Sequence, residues 1–339
     1  MSKQECVLKK TSIGGQALIE GVMMRGPQRT AMAVRHTSGE IRMEEWDNSA
    51  KKRWAITRWP IVRGVFGFVD SMVLGMKCLM KSAEMSGLED ELEEALEETA
   101  LPEDATPEQI AAAEAEKEAK KAANKKKADA LMNVVMVIGM VLGVALSLFL
   151  FMWLPTKLFT LLTKAAPALN NGYYRSIFEG ILRITIFLGY MLAVSRMKDI
   201  RRTFMYHGAE HKSIFCYEKG LPLTVENVRK QKRFHPRCGT SFLILMLIVG
   251  IIIGFFIPHT LPDIVRAGVK LLLLPLTMGI GYELIKLAGR HDNWFTRIIS
   301  IPGMWVQHIT TVEPEDDMIE CAIKALEAVI PEDAEADKW

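Results

Sequence analysis

Residues 131–154 run for twenty-four positions without a charged side chain. A bilayer core takes about 20 apolar residues per helix. A run this long has no place on a solvated surface, so it commits the chain to a membrane. The composition agrees once charge and apolarity are seen to be segregated. Half of the 339 residues are apolar and mean hydropathy is +0.13, although 24% are charged.

Three further apolar segments follow, at 176–195, 242–257 and 265–285. The segment at 176–195 contains Glu179 and Arg183, four residues apart, which can pair on one helix face. The last contains Pro275, three glycines and Glu283. Residues 61–80 are also long enough to span, but Arg63, Asp70 and Lys77 recur every seven residues. One polar stripe predicts an amphipathic helix in the membrane interface or packed on the soluble part.

Ahead of the spans, residues 30–36 and 40–46 read as strands of a hairpin turning at Thr37-Ser38-Gly39. The glycine-rich stretch 14–26 before it reads either as strand-end turns or as a loop that closes over a site with Glu20 and Arg25 facing the substrate. Residues 84–129 are an acidic block followed by a Lys-rich one, with a helix start at Thr106-Pro107-Glu108-Gln109. They read as a solvated insert.

The fold class expected is an α-helical integral membrane protein with about four transmembrane helices plus a small mixed α/β cytoplasmic domain with an N-terminal β-hairpin. In chain order that gives a β-containing segment at 1–60, the interfacial helix at 61–83 and the insert at 84–129. Spans one and two follow at 130–195, a His/Glu/Cys loop at 196–240 and spans three and four at 241–286. A C-terminal segment at 287–339 carries an amphipathic helix over 315–330. The 196–240 loop holds eleven Lys and Arg, against three at 155–175 and none at 258–264. The excess of positive charge places that loop and both termini in the cytoplasm.

Five scattered cysteines without a CxxC pair argue for a reducing compartment and against a disulfide framework. The polar first residues predict no cleavable signal peptide. A net charge of +2 and the lack of a basic-aromatic motif give no reason to expect nucleic acid. The partners implied are the lipid bilayer and a substrate of unspecified class, and the reading is compatible with a homo-oligomer.

The chemistry concentrates in His207-Gly208-Ala209-Glu210-His211-Lys212. On a helix, His207 and His211 share one face. His-x-x-Glu-His is the spacing of inverted zincins, where both His bind zinc and the Glu acts on water. A second pair, His235 and Cys238, follows. In one reading, His207 and His211 hold a divalent metal, Zn²⁺ by preference, with His235, Cys238 or Glu313. Glu210 is then the general base, and Lys212 or Arg237 stabilises an oxyanion. In another, His207, His211, His235 and Cys238 all ligate a structural metal. A third makes Cys238 a nucleophile beside His235. The blander alternative is a hydrogen-bonded polar core with Glu210 paired to Lys212 or an arginine. His36, His259 and His308 read as surface residues.

Four stretches together resemble the YqhQ-like family of bacterial membrane proteins: 14–26, 207–212, 235–242 and 310–314. The resemblance covers nearly the whole chain outside 84–129. It implies a domain of unknown function whose members are often labelled metal-dependent enzymes, and it brings no substrate. The functional expectation is a metal-dependent, hydrolytic enzyme at the cytoplasmic face of a bacterial cell membrane. The rival is a non-enzymatic scaffold or assembly factor. A transporter is disfavoured, because only the second and fourth spans carry ionisable residues.

Topology is directly testable. A cysteine introduced at Asn170 should react with an impermeant maleimide from outside the cell, and one at Val225 only after permeabilisation. External labelling at 225 rejects the orientation.

Overall fold

The fold comes from a computed structural model that describes residues 9–48, 55–87, 134, 137–291, 293–333 and 336–337. The insert expected at 84–129 lies outside the described residues beyond position 87, as does the start of the first apolar run.

The N-terminal segment is a four-stranded antiparallel sheet, β1 (Gly14–Leu18), β2 (Gly21–Arg25), β3 (Arg29–Arg35) and β4 (Ile41–Asp47), in sequential order. The expected hairpin is β3–β4, with Arg35 opposite Ile41. The glycine-rich stretch forms a second hairpin, β1–β2, with Leu18 opposite Gly21. It is therefore a pair of sheet strands instead of a mobile cover. Alternation along β2 and β3 sends side chains to two different layers. Val22, Met24, Ala31 and Ala33 join one apolar core with Tyr206, Met318 and Leu326. Met23, Met32 and Val34 join another with Leu74 and Cys78.

The layers belong to three helices. Helix α1 (Val62–Ser86) covers one face of the sheet. Helices α4 (Lys198–Glu218) and α10 (Asp316–Glu327) cover the other. The apolar face expected over 315–330 thus finds its partner on the sheet. Helix α1 is amphipathic as expected, and Phe66, Val69, Met72, Val73, Met76 and Met80 stay exposed. Among these helices, the expected 196–240 loop is mostly helix: α4 and then the short α5 (Val225–Arg229).

Among the described residues, two helices are long and apolar enough to cross a membrane, α2 (Val137–Ala165) and α3 (Gly172–Val194). About four spans were expected, and the described residues bear out two, or three if a bent pair counts as one. Helix α2 contains a π-helical turn at Phe149–Trp153 and continues to Ala165, into the stretch expected to be loop. Helix α6 (Gly239–Gly254) is apolar throughout but has only 16 residues. The last apolar segment is two helices, α7 (Asp263–Leu272) and α8 (Leu274–Arg290), bent by 44°. Pro275 lies in the first turn of α8, where its missing N–H costs nothing, so it starts a helix instead of interrupting one. Counting the bent pair as one gives three. These helices are compatible with a membrane protein.

Sequence reading did not anticipate α9 (Trp294–Thr310), which carries Pro302 in its interior. Asn293 and Thr296 close a capping box at its start. It packs against α6, with Gly303 on Ser241.

Where α4 crosses the segment after α9, backbone meets backbone. Val312 N–H donates to Phe204 C=O at 2.9 Å, and a Cβ on Gly208 would lie 2.1 Å from the Val312 oxygen. Gly208→Ala should therefore destabilise the fold by about 1–3 kcal/mol, the usual cost of forcing atoms into a filled space. Thermal unfolding in detergent reads this as a lowered midpoint. An unchanged midpoint refutes the close contact.

Candidate metal centre

Helix α4 reaches the site because its inner face is polar yet buried. Glu210, His211 and Lys212 are each at most 5% exposed. Buried polar groups need partners, and each of these has one from a different part of the chain.

His207 Nδ1 lies 2.8 Å from Thr310 C=O, and His211 Nδ1 lies 2.5 Å from Arg233 C=O. A carbonyl only accepts, so both rings carry a proton on Nδ1, and Nε2 is the nitrogen left to take a metal or a second proton. His207 Nε2 then sits 3.1 Å from Cys238 Sγ. One ligand atom each from His207, His211 and Cys238 lies within 4.8 Å of the others. Zinc bonds of about 2.0–2.3 Å in a tetrahedron put ligand atoms roughly 3.3–3.8 Å apart. The three side chains fit one ion with small adjustments, and their Nδ1 contacts supply the outer hydrogen bonds that orient such ligands.

Without a cation the three groups perturb one another. Burial pulls the His207 imidazole down, but the Cys238 sulfur beside it outweighs burial and raises its pKa to about 9. Burial pushes the Cys238 thiol up, but His207 and His211 bring it well below the ordinary value. Thiolate and imidazolium form the favoured pair at neutral pH. Thr240 Oγ1, 3.2 Å from Cys238 Sγ, gives the sulfur a further partner.

Glu210 stands beside this group and outside it. It takes a hydrogen bond from the Gly15 backbone on β1. Burial raises its pKa, and the two histidines oppose the rise only in part. Gly15 has to be glycine here, since a Cβ would lie 2.9 Å from Glu210 Cγ and 2.7 Å from Met23 C=O.

The other candidates divide. His235 is buried, with ring centroids 5.5 Å from His211 and 4.7 Å from Phe215. Burial drives its pKa down to about 4 against the pull of Glu218, so it is neutral. Gln307 clamps its backbone, accepting from His235 N–H and donating to His235 C=O, both at 2.7 Å. Arg237 donates to Glu218 and to Thr11 C=O. The Cys238 sulfur meets His207, while its contact with His235 is through the backbone, Cys238 N–H donating to His235 C=O at 3.4 Å. Lys212 donates to Arg229 C=O at 2.9 Å and forms an ion pair with Glu313, so these two candidates meet each other. Glu20 sits in the β1–β2 turn, where Arg202 grips it through two nitrogens and Tyr206 donates to it at 3.3 Å. Arg25 lines a cavity of about 310 Å³ together with Gly15 and Gln16.

Glu218 was not singled out from sequence. It is 1% exposed, accepts from Thr11 N–H at 2.9 Å, and pairs with Arg237. Burial raises its pKa, but His235 and Arg237 bring the net shift below the ordinary value. Its place seven residues after His211, on the same helical face, was the available signal.

Cys238 and Arg237 also line a larger groove of about 540 Å³ between α1, α6 and α8. Phe68, Met72, Met76, Leu79, Phe242 and Leu243 make its walls apolar.

A family profile described as "Protein of unknown function (DUF1385)" matches residues 59–332. The chain belongs to this family. It is also 32% identical over 319 residues to "Uncharacterized protein YqhQ" of Bacillus subtilis (strain 168), covering 94% of this chain and 92% of that relative. The YqhQ-like resemblance is thereby shown. No solved structure matches the chain.

The electrostatics make a pH prediction. In chelator-treated protein at neutral pH, Cys238 should show thiolate ultraviolet absorbance, because its pKa is depressed and His207 holds its proton until about pH 9. Burial raises Cys78, Cys216 and Cys321, so these three stay protonated. His207→Ala leaves the burial penalty opposed mainly by His211, so the Cys238 pKa should rise and the neutral-pH signal should fall. A signal identical in wild type and His207→Ala rejects the pairing.

Proposed function

We propose that this protein is a metal-dependent membrane enzyme, hydrolytic, acting at the cytoplasmic face of a bacterial cell membrane. The observation that supports this most is the pair of Nδ1 contacts to Thr310 and Arg233, which turns two Nε2 atoms toward Cys238. Buried histidines kept only for packing do not need a common target.

His207, His211 and Cys238 would hold the ion, with Zn²⁺ favoured by two imidazoles and a thiolate. Three protein ligands are the number found at catalytic zinc sites, where the ion supplies Lewis-acid activation of water near neutral pH. Glu210 is suited to receive the proton. It is adjacent to the ligands and not one of them, and burial raises its proton affinity. Arg237, held by Glu218 and lining the groove, would meet an anionic group on the substrate. The apolar groove walls favour a substrate with an apolar portion that approaches from α1, α6 and α8.

A scaffold role is the rival, in which the same side chains tie elements together without turnover. Elemental analysis and complementation of a deletion strain separate the two. His207→Ala, His211→Ala and Cys238→Ala should lose metal and function together. Glu210→Gln should keep metal and lose about 10²–10⁴-fold in activity, the usual share of a general base. His235→Ala and Glu313→Ala should keep metal. Wild type purified without chelator and free of metal, with every folded variant still complementing, overturns the enzyme reading in favour of the scaffold.

A further inference from the structure

A second polar centre lies between α3 and α7, on elements separate from the histidine group. Arg175, Glu179 and Arg183 come from α3, and Asp263, Arg266 and Lys270 from α7. Glu179 is 1% exposed and Arg266 is fully buried. Four cations thus face two carboxylates. Among the described residues the balance is two positive charges, and Lys157, 3.8 Å from Asp263, adds another at the more exposed edge.

Both carboxylates are already occupied. Glu179 Oε1 accepts from Arg175 Nε at 3.0 Å and Thr156 Oγ1 at 3.3 Å. Its Oε2 meets Lys270 and, at 3.4 Å, Arg183. Asp263 accepts from Arg175 at 2.6 Å and from Thr160 at 3.3 Å. Arg183 spends its Nε on Phe151 C=O, at 2.7 Å, in the π-turn of α2.

Arg266 is the member left over. Its Nη1 donates to Ile257 C=O at 2.8 Å and Pro258 C=O at 2.9 Å. Its Nε and Nη2 are buried with no hydrogen-bond partner among the described residues. These two nitrogens form one edge of the guanidinium, a fork whose parallel N–H groups match two oxygens of a carboxylate or phosphate. This chain uses that same edge three times: Arg63 on Glu283, Arg202 on Glu20 and Arg229 on Asp316. A buried cation with its fork unused, in a cluster with excess positive charge, lacks an anion.

We propose that the Nε/Nη2 edge of Arg266, with Lys270 and Arg183 nearby, binds a phosphate or phosphomonoester oxyanion inside the helix bundle. An excess of two charges fits a phosphate dianion better than a carboxylate. The group can come from free phosphate or from the head of a lipid such as phosphatidic acid. This site stands whether or not the histidine group binds metal.

Protein purified in dodecyl maltoside, a detergent without phosphate, tests it. The thermal midpoint is followed against inorganic phosphate at constant ionic strength, and native mass spectrometry reads retained phosphatidic acid. A midpoint that rises with phosphate assigns the free ion. A retained phosphatidic acid, with a midpoint indifferent to added phosphate, assigns the lipid. In either case Arg266→Lys, which keeps the charge and loses the fork, should weaken binding at least about tenfold, while Arg229→Lys on the exposed fork should not. If Arg266→Lys does not fold, Lys270→Gln should weaken phosphate or phosphatidic acid in its place. No response to phosphate and no retained phospholipid in the wild type overturns the proposal, and so does wild-type binding in the folded variant.

Discussion

Everything in this protein depends on how α4 is buried. A helix that carries two imidazoles, a carboxylate and an ammonium within six residues would ordinarily keep its polar side in water. Here the sheet, α10 and the segment after α9 enclose it, so each polar group must be satisfied from outside the helix. Gly15 on β1 serves Glu210, Arg233 serves His211, Thr310 serves His207, and Glu313 with Arg229 serves Lys212. The partners come from segments near residues 15, 230 and 310. A fault in packing the sheet or α9 therefore reaches the histidines directly, and the site exists only in the completed fold.

The sequence made parts of this legible because the parts are local. The i, i+4 spacing of His207 and His211 is a property of one helix, and so is the apolar stripe of α10. The hairpin turn at Thr37-Ser38-Gly39 is likewise written in adjacent residues. What sequence did not reveal depends on distance. Nothing in the 207–212 stretch distinguishes Cys238 from His235 as the third member of the group. That choice follows from Gln307 clamping the His235 backbone while Arg237 and Glu218 surround its ring. Lys212 and Glu210 are two residues apart yet go to different partners, since successive side chains leave a helix about 100° apart.

The expected spans and the observed helices differ for another reason. Hydropathy sums apolar character and is blind to breaks. It joined α7 to α8 across Leu273, although the backbone bends there by 44°. It also counted α6, whose 16 residues reach only about 24 Å at 1.5 Å per residue. The same sum flagged Glu179 as an oddity and missed why it is tolerated: Arg175, Arg183 and Lys270 surround it. Arg183 alone, the partner that spacing suggested, is the most distant of the three.

The short α6 also links the histidine group to the second polar centre. Cys238 is the N-cap of α6, while the carbonyls of Ile257 and Pro258, just past its far end, hold Arg266. The two polar centres are thus tied to opposite ends of one helix. A hydrocarbon core is about 30 Å thick, more than α6 can cover. If α6 stands across that core, at least one centre lies at hydrocarbon depth, where water is scarce and every donor must be matched. The histidine group meets that demand through side chains that bond protein groups, whereas the second centre leaves Arg266 Nε and Nη2 unmatched among the described residues. The groove beside Cys238 follows the same geometry: Met72 and Met76 of α1 line it and are themselves exposed, as are Phe66, Val69 and Val73 of the same helix. Apolar side chains of α1 form both the wall of the groove and the outer surface of the helix, so the side of Cys238 that faces the groove is bordered by apolar surface.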